Sequence, residues 1–342
     1  MNYRRTARKM AKLPENSSNY RKLRCLVDIL PLDTVEYACA YGSGAVPQDS
    51  VDTLDKMIDF IIVTRNSNRF HEQNLKLNPA HYSSLRFLGH QEIARIQRNY
   101  GARVYCNTRV FYQNQLMKYS IIETDDLLLD LIEWRWMYLA GRLQKHVINL
   151  ITPSSTITSA IEKNRLSALQ AALLFLPDKF TLSQFYDEII WLSYRGDFRM
   201  LFGEDKNKIK KIAEGSKTQL SQIYLPLLKA DNNVSIQGHI IEQDRRNVVY
   251  FKRIMDLPLN VLWNLQLKIN SKNGVQSDIE EIAASLARQL DGPKPVAAAI
   301  EDIVWRSAVH QTAKNVFSAG IKRSVAYAFA KITKMLKSLK HL

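Results

Sequence analysis

Two neighbouring stretches, YACAYGSGAVPQ (Tyr37 to Gln48) and DKMIDFIIV (Asp55 to Val63), decide how this chain folds. The first reads as an apolar strand running into a Gly-Ser-Gly turn at the start of a helix, the second as a β-branched strand holding one carboxylate, Asp59. Residues i and i+2 of a strand share a face, so Met57 stands beside Asp59, and Asp55 joins them if the strand begins that early.

Working outward, EQNLKLNPAHYSSLRFLGHQEIARIQRNYG reads as helix on both sides of Asn78-Pro79 with Gly101 as a stop, and ARVYCNTRVFYQNQLMKYSIIE as a hairpin turning around Gln113 to Gln115. TDDLLLDLIEWRWMYLAG predicts one helix capped by Thr124 and closed at Gly141. From Ser159 to about Leu228 the period is helical, and VSIQGHIIEQD and NVVYFKRIM read as short strands of a small wing. DGPKP (Asp291 to Pro295) punctuates the chain before its last segment.

A chain of 342 residues is long enough for about two domains at ~150 residues each. The expected class is α+β, divided as 1–150 (mixed α and β), 151–293 (helical, winged-helix-like) and 294–342 (a C-terminal basic amphipathic segment). The three cysteines form no CxxC, which speaks against a disulfide framework or zinc cluster and fits a reducing compartment. Apolar runs such as ALQAALLFLP fall short of the ~18 residues that span a bilayer.

The net charge of +15 is concentrated at the ends. Residues 1–30 carry Arg4, Arg5, Arg8, Lys9, Lys12, Arg21, Lys22 and Arg24 against Glu15 and Asp28, a net +6. From Ile303 onward Arg306, Lys314, Lys322, Arg323, Lys331, Lys334, Lys337 and Lys340 face no acid, a net +8 that leaves +1 for everything between. Such ends bind phosphates of nucleic acid or of anionic lipid. The first dozen residues are also Arg-rich and acid-free like the start of a transit peptide, though with little apolar face.

Strand, Gly-Ser turn and carboxylate-bearing strand are what a nucleotidyltransferase needs. Glycines let the backbone approach a nucleoside triphosphate, turn N–H groups and the Ser43 hydroxyl bond its phosphates, and a strand carboxylate holds Mg²⁺ against them. Taken alone the same residues also fit a plain turn and a structural aspartate.

The stretches YGSGAVPQ, MIDFI, HEQNLKLNPAHYS, NYGARVYCN, MKYSII, YLAGRLQKHV, LSYRGDFRMLFGEDKNKI and, more loosely, HQTAKNVFSAG occur in order from Tyr41 to about Gly320. In these the chain resembles the mitochondrial translocator assembly and maintenance family of peripheral CDP-diacylglycerol synthases. The resemblance implies a nucleotidyltransferase-fold first domain, a winged-helix-like second domain and a membrane-contacting C-terminal segment. It also implies the reaction of CTP with phosphatidic acid to CDP-diacylglycerol and pyrophosphate with Mg²⁺, a step toward phosphatidylglycerol and cardiolipin.

On that basis Gly42, Ser43 and Gly44 cradle the triphosphate, Asp59 binds Mg²⁺ with Asp55 as candidate second ligand, and Lys118, Arg142 and Lys145 contact phosphates. In GDFRMLFGEDK, Asp197 and Arg199 are candidates for catalysis and Lys206 for the nucleotide, beside Glu204 and Asp205; the same stretch also reads as a salt-bridged loop. His71 and His81 match family positions but also read as structural hydrogen-bonders, and Trp134, Trp136 and Tyr138 as packing residues. The chain departs from the pattern in lacking Asp-x-Asp on the strand, in TRNSN after it and in His146.

The last segment predicts a helix with the stripe Ile321, Val325, Ala328, Ile332, Met335 or Leu336, and Leu339. Its candidate membrane contacts are Ile321, Lys322, Arg323, Val325, Lys331, Ile332, Lys334, Leu336 and Lys337, on an anionic surface. The expected place is peripheral: the matrix face of the mitochondrial inner membrane, or the cytoplasmic face of a bacterial plasma membrane. Two competing readings are a nucleotidyltransferase acting on RNA, for which no clustered aromatic or Arg-rich reading surface is evident, and a non-catalytic membrane-bound assembly factor.

Overall fold

The alternation in YACAY and MIDFI becomes two antiparallel strands, β1 (Val35–Tyr41) and β2 (Ile58–Thr64), which follow a first helix α1 (Ser18–Val27). The computed structural model describes residues 18–45, 57–202, 208–274, 276–289 and 292–319. With β3 (Tyr105–Tyr112), β4 (Gln115–Glu123) and β5 (Ile148–Ile151) they form a mixed five-stranded sheet in the order β3-β4-β2-β1-β5, where β2 and β4 run parallel. The β3–β4 hairpin turns at Gln113 and Asn114, both left-handed at φ 47° and 58°, the geometry that matches a two-residue turn to strand twist.

Period two sorts the strands into faces. Ala38, Ala40, Phe60, Ile62 and Tyr119 pack beneath α1, α2 (Ser67–Leu77) and α3 (Gly89–Asn99), burying Leu23, Phe70 and Ile93. Pro79 ends α2 at Leu77, and two 3₁₀ turns, Pro79–His81 and Ser84–Leu88, separate the helices. On the other face Cys39, Ile61 and Val63 meet α4 (Thr124–Glu133), the one-turn α5 (Ala140–Leu143) and α6 (Ser155–Phe175), and this core continues into the helical half through Ile157, Leu169 and Leu220.

That half contains β6 (Lys179–Thr181), α7 (Leu182–Trp191), α8 (Arg199–Phe202), α9 (Lys208–Gly215), α10 (Lys217–Ala230), β7 (Val234–Gln237) and β8 (Ile240–Gln243). After these come α11 (Asn247–Met255), α12 (Leu259–Asn273), α13 (Ile279–Ala287) and α14 (Pro293–Ala319). A small sheet in the order β6-β8-β7 sits beside the helices, and α7 starts with a full capping box between Thr181 and Gln184. The class is α+β, as expected, and its main sheet is mixed.

Three local expectations are corrected. NVVYFKRIM is the helix α11: Val249, Tyr250, Arg253 and Ile254 are buried at helical spacing, so core contact overrides β-branched propensity. The helix expected from Thr124 to Gly141 stops at Glu133, with Glu123 as N-cap. Trp134 turns left-handed at φ 55°, and the Asp130 carboxylate accepts from the backbone N–H groups of Trp136, Leu139 and Ala140. Lys314, counted among the phosphate-binding cations of the C-terminal end, is buried and donates to the carbonyls of Gln97 (3.3 Å) and Tyr100 (2.6 Å) at the end of α3. Burial pushes its ammonium pKa down to about 8.

Candidate active site

Asp59 lies opposite Tyr41 of β1 and beside Lys118 of β4, all on the sheet face that carries Ile61 and Val63. Strand register thus gathers a carboxylate, a phenol and an ammonium at the end of β1, where the Gly-Ser-Gly turn begins. Gly42 is left-handed at φ 77° and its carbonyl accepts from the N–H of Ala45 at 3.1 Å. A Cβ on Gly44 would stand 2.5 Å from the Met57 carbonyl oxygen, so only glycine lets the turn lie against the start of β2. Ser43 is exposed at the tip.

The Lys118 ammonium is 3.8 Å from Asp59 Oδ1, close enough for charge attraction but beyond hydrogen bonding. Burial works against the charge on Lys118, and the pull of Cys106, Tyr41, Tyr138 and Asp59 outweighs it, holding its pKa above the usual lysine value. Burial, and then the Asp59 carboxylate, push the Tyr41 phenol up.

A second group of cations comes from the helical side. Arg142 on α5 donates Nε to the Tyr41 hydroxyl at 3.2 Å and a second nitrogen to the Tyr138 carbonyl, with its guanidinium 4.0 Å from the Tyr138 ring centroid. Lys145 donates to Ser193 Oγ at 2.8 Å and lies 5.4 Å from the Tyr194 ring, which Lys208 approaches to 4.8 Å. Burial, then Arg142 and Lys208, push the Lys145 ammonium down to about 7. Gly141 makes this junction possible, since a Cβ there would stand 2.3 Å from the Ser193 Cβ.

Beyond Tyr194 the chain turns at Gly196 (φ 78°), against the Glu301 carbonyl of α14. There Asp197, 4% exposed, accepts from Arg199 Nε at 2.9 and 3.0 Å and from the Arg199 backbone N–H at 3.0 Å. Burial pushes the Asp197 carboxyl up, but the guanidinium more than offsets it and holds it below the usual range. Arg199 in turn is in coulombic reach of Tyr138 and Arg142.

Asp59, Lys118, the Gly42–Gly44 turn, Arg142, Lys145, Asp197 and Arg199 therefore converge. Asp55, Glu204, Asp205, Lys206 and the candidate membrane contacts from Ile321 to Lys337 lie outside the described residues. His71 and His81 sit on the opposite face: His71 is bonded to Tyr82 (2.8 Å) and Gln97 (2.9 Å), His81 to Tyr119 (2.9 Å), and burial pushes both imidazoles down to about 4. Trp134 is a packing residue, its indole N–H donating to Asn164 at 2.8 Å.

Reading by residue type missed Tyr41, Tyr138, Ser193 and Tyr194. Tyr41 had a signal in strand register, as the residue opposite Asp59; the others depend on how α5 and the turn before Gly196 meet.

A glycine turn beside a strand carboxylate, with Lys118 and Arg142 gathered around it, is an arrangement of the nucleotidyltransferase class of enzyme. Residues 23–334 match the family model described as mitochondrial phosphatidate cytidylyltransferase, and the chain belongs to that family. Similar proteins named mitochondrial phosphatidate cytidylyltransferase include one from Caenorhabditis briggsae, 45% identical over 92% of this chain and 98% of its own. Another is from Drosophila melanogaster, 36% identical over 89% and 95%. A crystal structure of a nucleotidyltransferase-like protein from Exiguobacterium sibiricum aligns with 87% of this chain and 76% of that one at 8% identity and a TM-score of 0.24, too low to bear on the argument.

Proposed function

We propose that this chain transfers the cytidylyl group of CTP to phosphatidic acid, giving CDP-diacylglycerol and pyrophosphate. The observation that carries it is the Asp59–Lys118 pair beside the glycine turn, faced by Arg142 and the Asp197–Arg199 pair, in a member of this family. A phosphate oxygen of phosphatidate attacks the α-phosphorus of CTP. The new P–O bond forms as the bond to the bridging oxygen breaks, and that electron pair leaves on pyrophosphate. The attacking phosphate is already an anion, so positioning and charge neutralisation carry the catalysis.

Gly42, Ser43 and Gly44 offer donors to the triphosphate, Lys118 and Arg142 neutralise it, and Arg199, fixed by Asp197, meets the acceptor phosphate. Lys145, held near neutrality by burial, gains its proton when an anion arrives. Magnesium commonly takes one or two carboxylates and completes its shell from substrate phosphates and water. Asp59 fits that demand, because Lys118 stands too far off to occupy its lone pairs, with Asp55 as a second ligand. Among the described residues there is no cluster of three or more His, Cys, Asp or Glu side chains that could hold a metal. The ion supplies charge neutralisation at the reacting phosphates.

We read the sheet half as a nucleotidyltransferase fold and the helical half with its small sheet as winged-helix-like. The basic segment after Gly320 lies on an anionic membrane, and the protein works peripherally at the matrix face of the mitochondrial inner membrane, toward cardiolipin. Relatives named mitochondrial support the organelle, and no helix among the described residues is long and apolar enough to cross a membrane. Incubating the protein with labelled CTP, Mg²⁺ and either phosphatidic acid vesicles or tRNA tests the reading. Label in the lipid phase is expected; label in RNA, or none in either, refutes it.

A further inference from the structure

Two packed helices of the folded body expose an apolar surface that its own core does not use. α14 turns Val296, Ala299, Ile300, Ile303 and Val304 inward, and fixes its far end with Gln311 on Ala102 and Val104 and Lys314 on Gln97 and Tyr100. Outward, Trp305, Val309, Val316 and Phe317 recur at helical spacing, and Phe317 is 77% exposed. α12 packs along α14, joined by Lys268 to Asp302 at 2.7 Å, and exposes Leu259, Trp263 and Leu267 at four-residue steps. Seven exposed apolar side chains, among them two tryptophans and a phenylalanine, on two helices in contact are more than the singly scattered apolar exposure of an ordinary surface.

We propose that the outer face of α12 and α14 is a docking surface for an anionic lipid bilayer, separate from the basic segment after Gly320, and that it brings the site to the membrane. Charge favours lipid over a protein partner. α12 contains no acid, and the acids at the middle of α14, Glu301 and Asp302, face Arg195 and Lys268. After Asp302 the chain has no Asp or Glu at all, while Arg306 is exposed beside Trp305. Trp263 and Trp305 suit the boundary, where an indole buries its ring and keeps its N–H wet.

The surface is tied to the site through one contact. The Trp305 ring meets Phe198 edge-on at 6.0 Å between centroids, and Phe198 lies between Asp197 and Arg199. A bilayer seated on α14 would hold the acceptor headgroup near the Arg199 guanidinium. This last step rests on the cytidylyltransferase reading, whereas the docking surface itself does not.

The test uses the full chain and vesicles of phosphatidylcholine and phosphatidic acid with brominated acyl chains, which quench tryptophans at the bilayer. Vesicle binding should quench the emission, and the double variant Trp263→Phe with Trp305→Phe should lose most of that quenching. Trp263→Gln with Phe317→Gln should weaken vesicle affinity about tenfold while CTP binding is unchanged. Bound protein whose tryptophans are not quenched, or a Gln variant that binds vesicles like wild type, overturns the proposal. So does a concentration-dependent dimer that the Gln variant dissociates, which would place a second copy on this face. Quenching and vesicle affinity are read without turnover, so failure of cytidylyl transfer would defeat the catalytic reading and leave this one standing.

Discussion

Gly141→Ala adds one methyl at the junction between α5 and the turn that carries Ser193, and the geometry fixes its effect. The new Cβ would stand 2.3 Å from the Ser193 Cβ, whereas carbons in contact settle at about 3.5–4.0 Å. The two segments must separate by about 1 Å or more. Overpacking of this kind costs about 1–3 kcal/mol. Against that, alanine gains at most about 1 kcal/mol over glycine in a helix, and α5 is a single turn. A net loss of about 1–2 kcal/mol in urea unfolding is expected.

Turnover should fall further than stability, because Arg142 follows Gly141 directly and Lys145 bonds Ser193 across the junction, and a displacement near 1 Å at a reacting centre costs on the order of a hundredfold. Adding Ser193→Gly removes the clash and leaves the Ser193 Cα at an ordinary 3.5 Å, while Lys145 loses its 2.8 Å partner. The double variant should recover stability and only part of the kcat. Wild-type stability and turnover in Gly141→Ala, or no recovery of stability in the double variant, would refute the reasoning.

Asp59→Asn should abolish transfer from CTP with the fold intact, since it removes the carboxylate from a partly exposed strand position; retained activity with unchanged Mg²⁺ dependence would sink the metal assignment. Lys145 has its pKa depressed in the fold, from 10.5 to about 7, so the folded state disfavours the charged form and gains stability as pH rises above 7. Between pH 7 and 8.5 wild type should gain about 2 kcal/mol relative to Lys145→Met in paired urea titrations; parallel pH curves for the two proteins would show that Lys145 is not so placed. Truncation after Gly320 should reduce sedimentation with phosphatidic acid or cardiolipin vesicles and slow turnover of vesicle-borne phosphatidate while CTP binding survives. Vesicle binding that withstands the truncation, or that ignores high salt in the intact chain, counts against that segment as an anchor.

The turn and the carboxylate of the site were legible because their logic is local, while Lys118, Arg142, Lys145, Asp197 and Arg199 were singled out through the family resemblance. A period of two put Asp59 on a strand face, glycine marked the turn, and the Gln-Asn pair marked the hairpin; each depends on a few residues and their own backbone preferences. Charge distribution was legible too, since it needs only a count. What failed locally was NVVYFKRIM, where burial at helical spacing outweighed β-branching, and the helix expected up to Gly141, which Asp130 ends by gathering three backbone donors from residues ahead of it.

The rest belonged to tertiary structure alone. No spacing in sequence shows that Arg142 reaches Tyr41 across 101 residues, that Lys145 finds Ser193 across 48, or that Lys314 leaves the basic end to bind carbonyls more than 200 residues earlier. Nor could sequence say that Asp197 and Arg199, already a plausible ion pair, would stand within reach of Arg142. The sequence determined which groups were available and which way strand side chains point, because those follow from covalent geometry. The tertiary structure decided which charges come together, because that depends on close approaches such as Gly141 on Ser193 and Gly196 on Glu301, which exist only once distant segments pack.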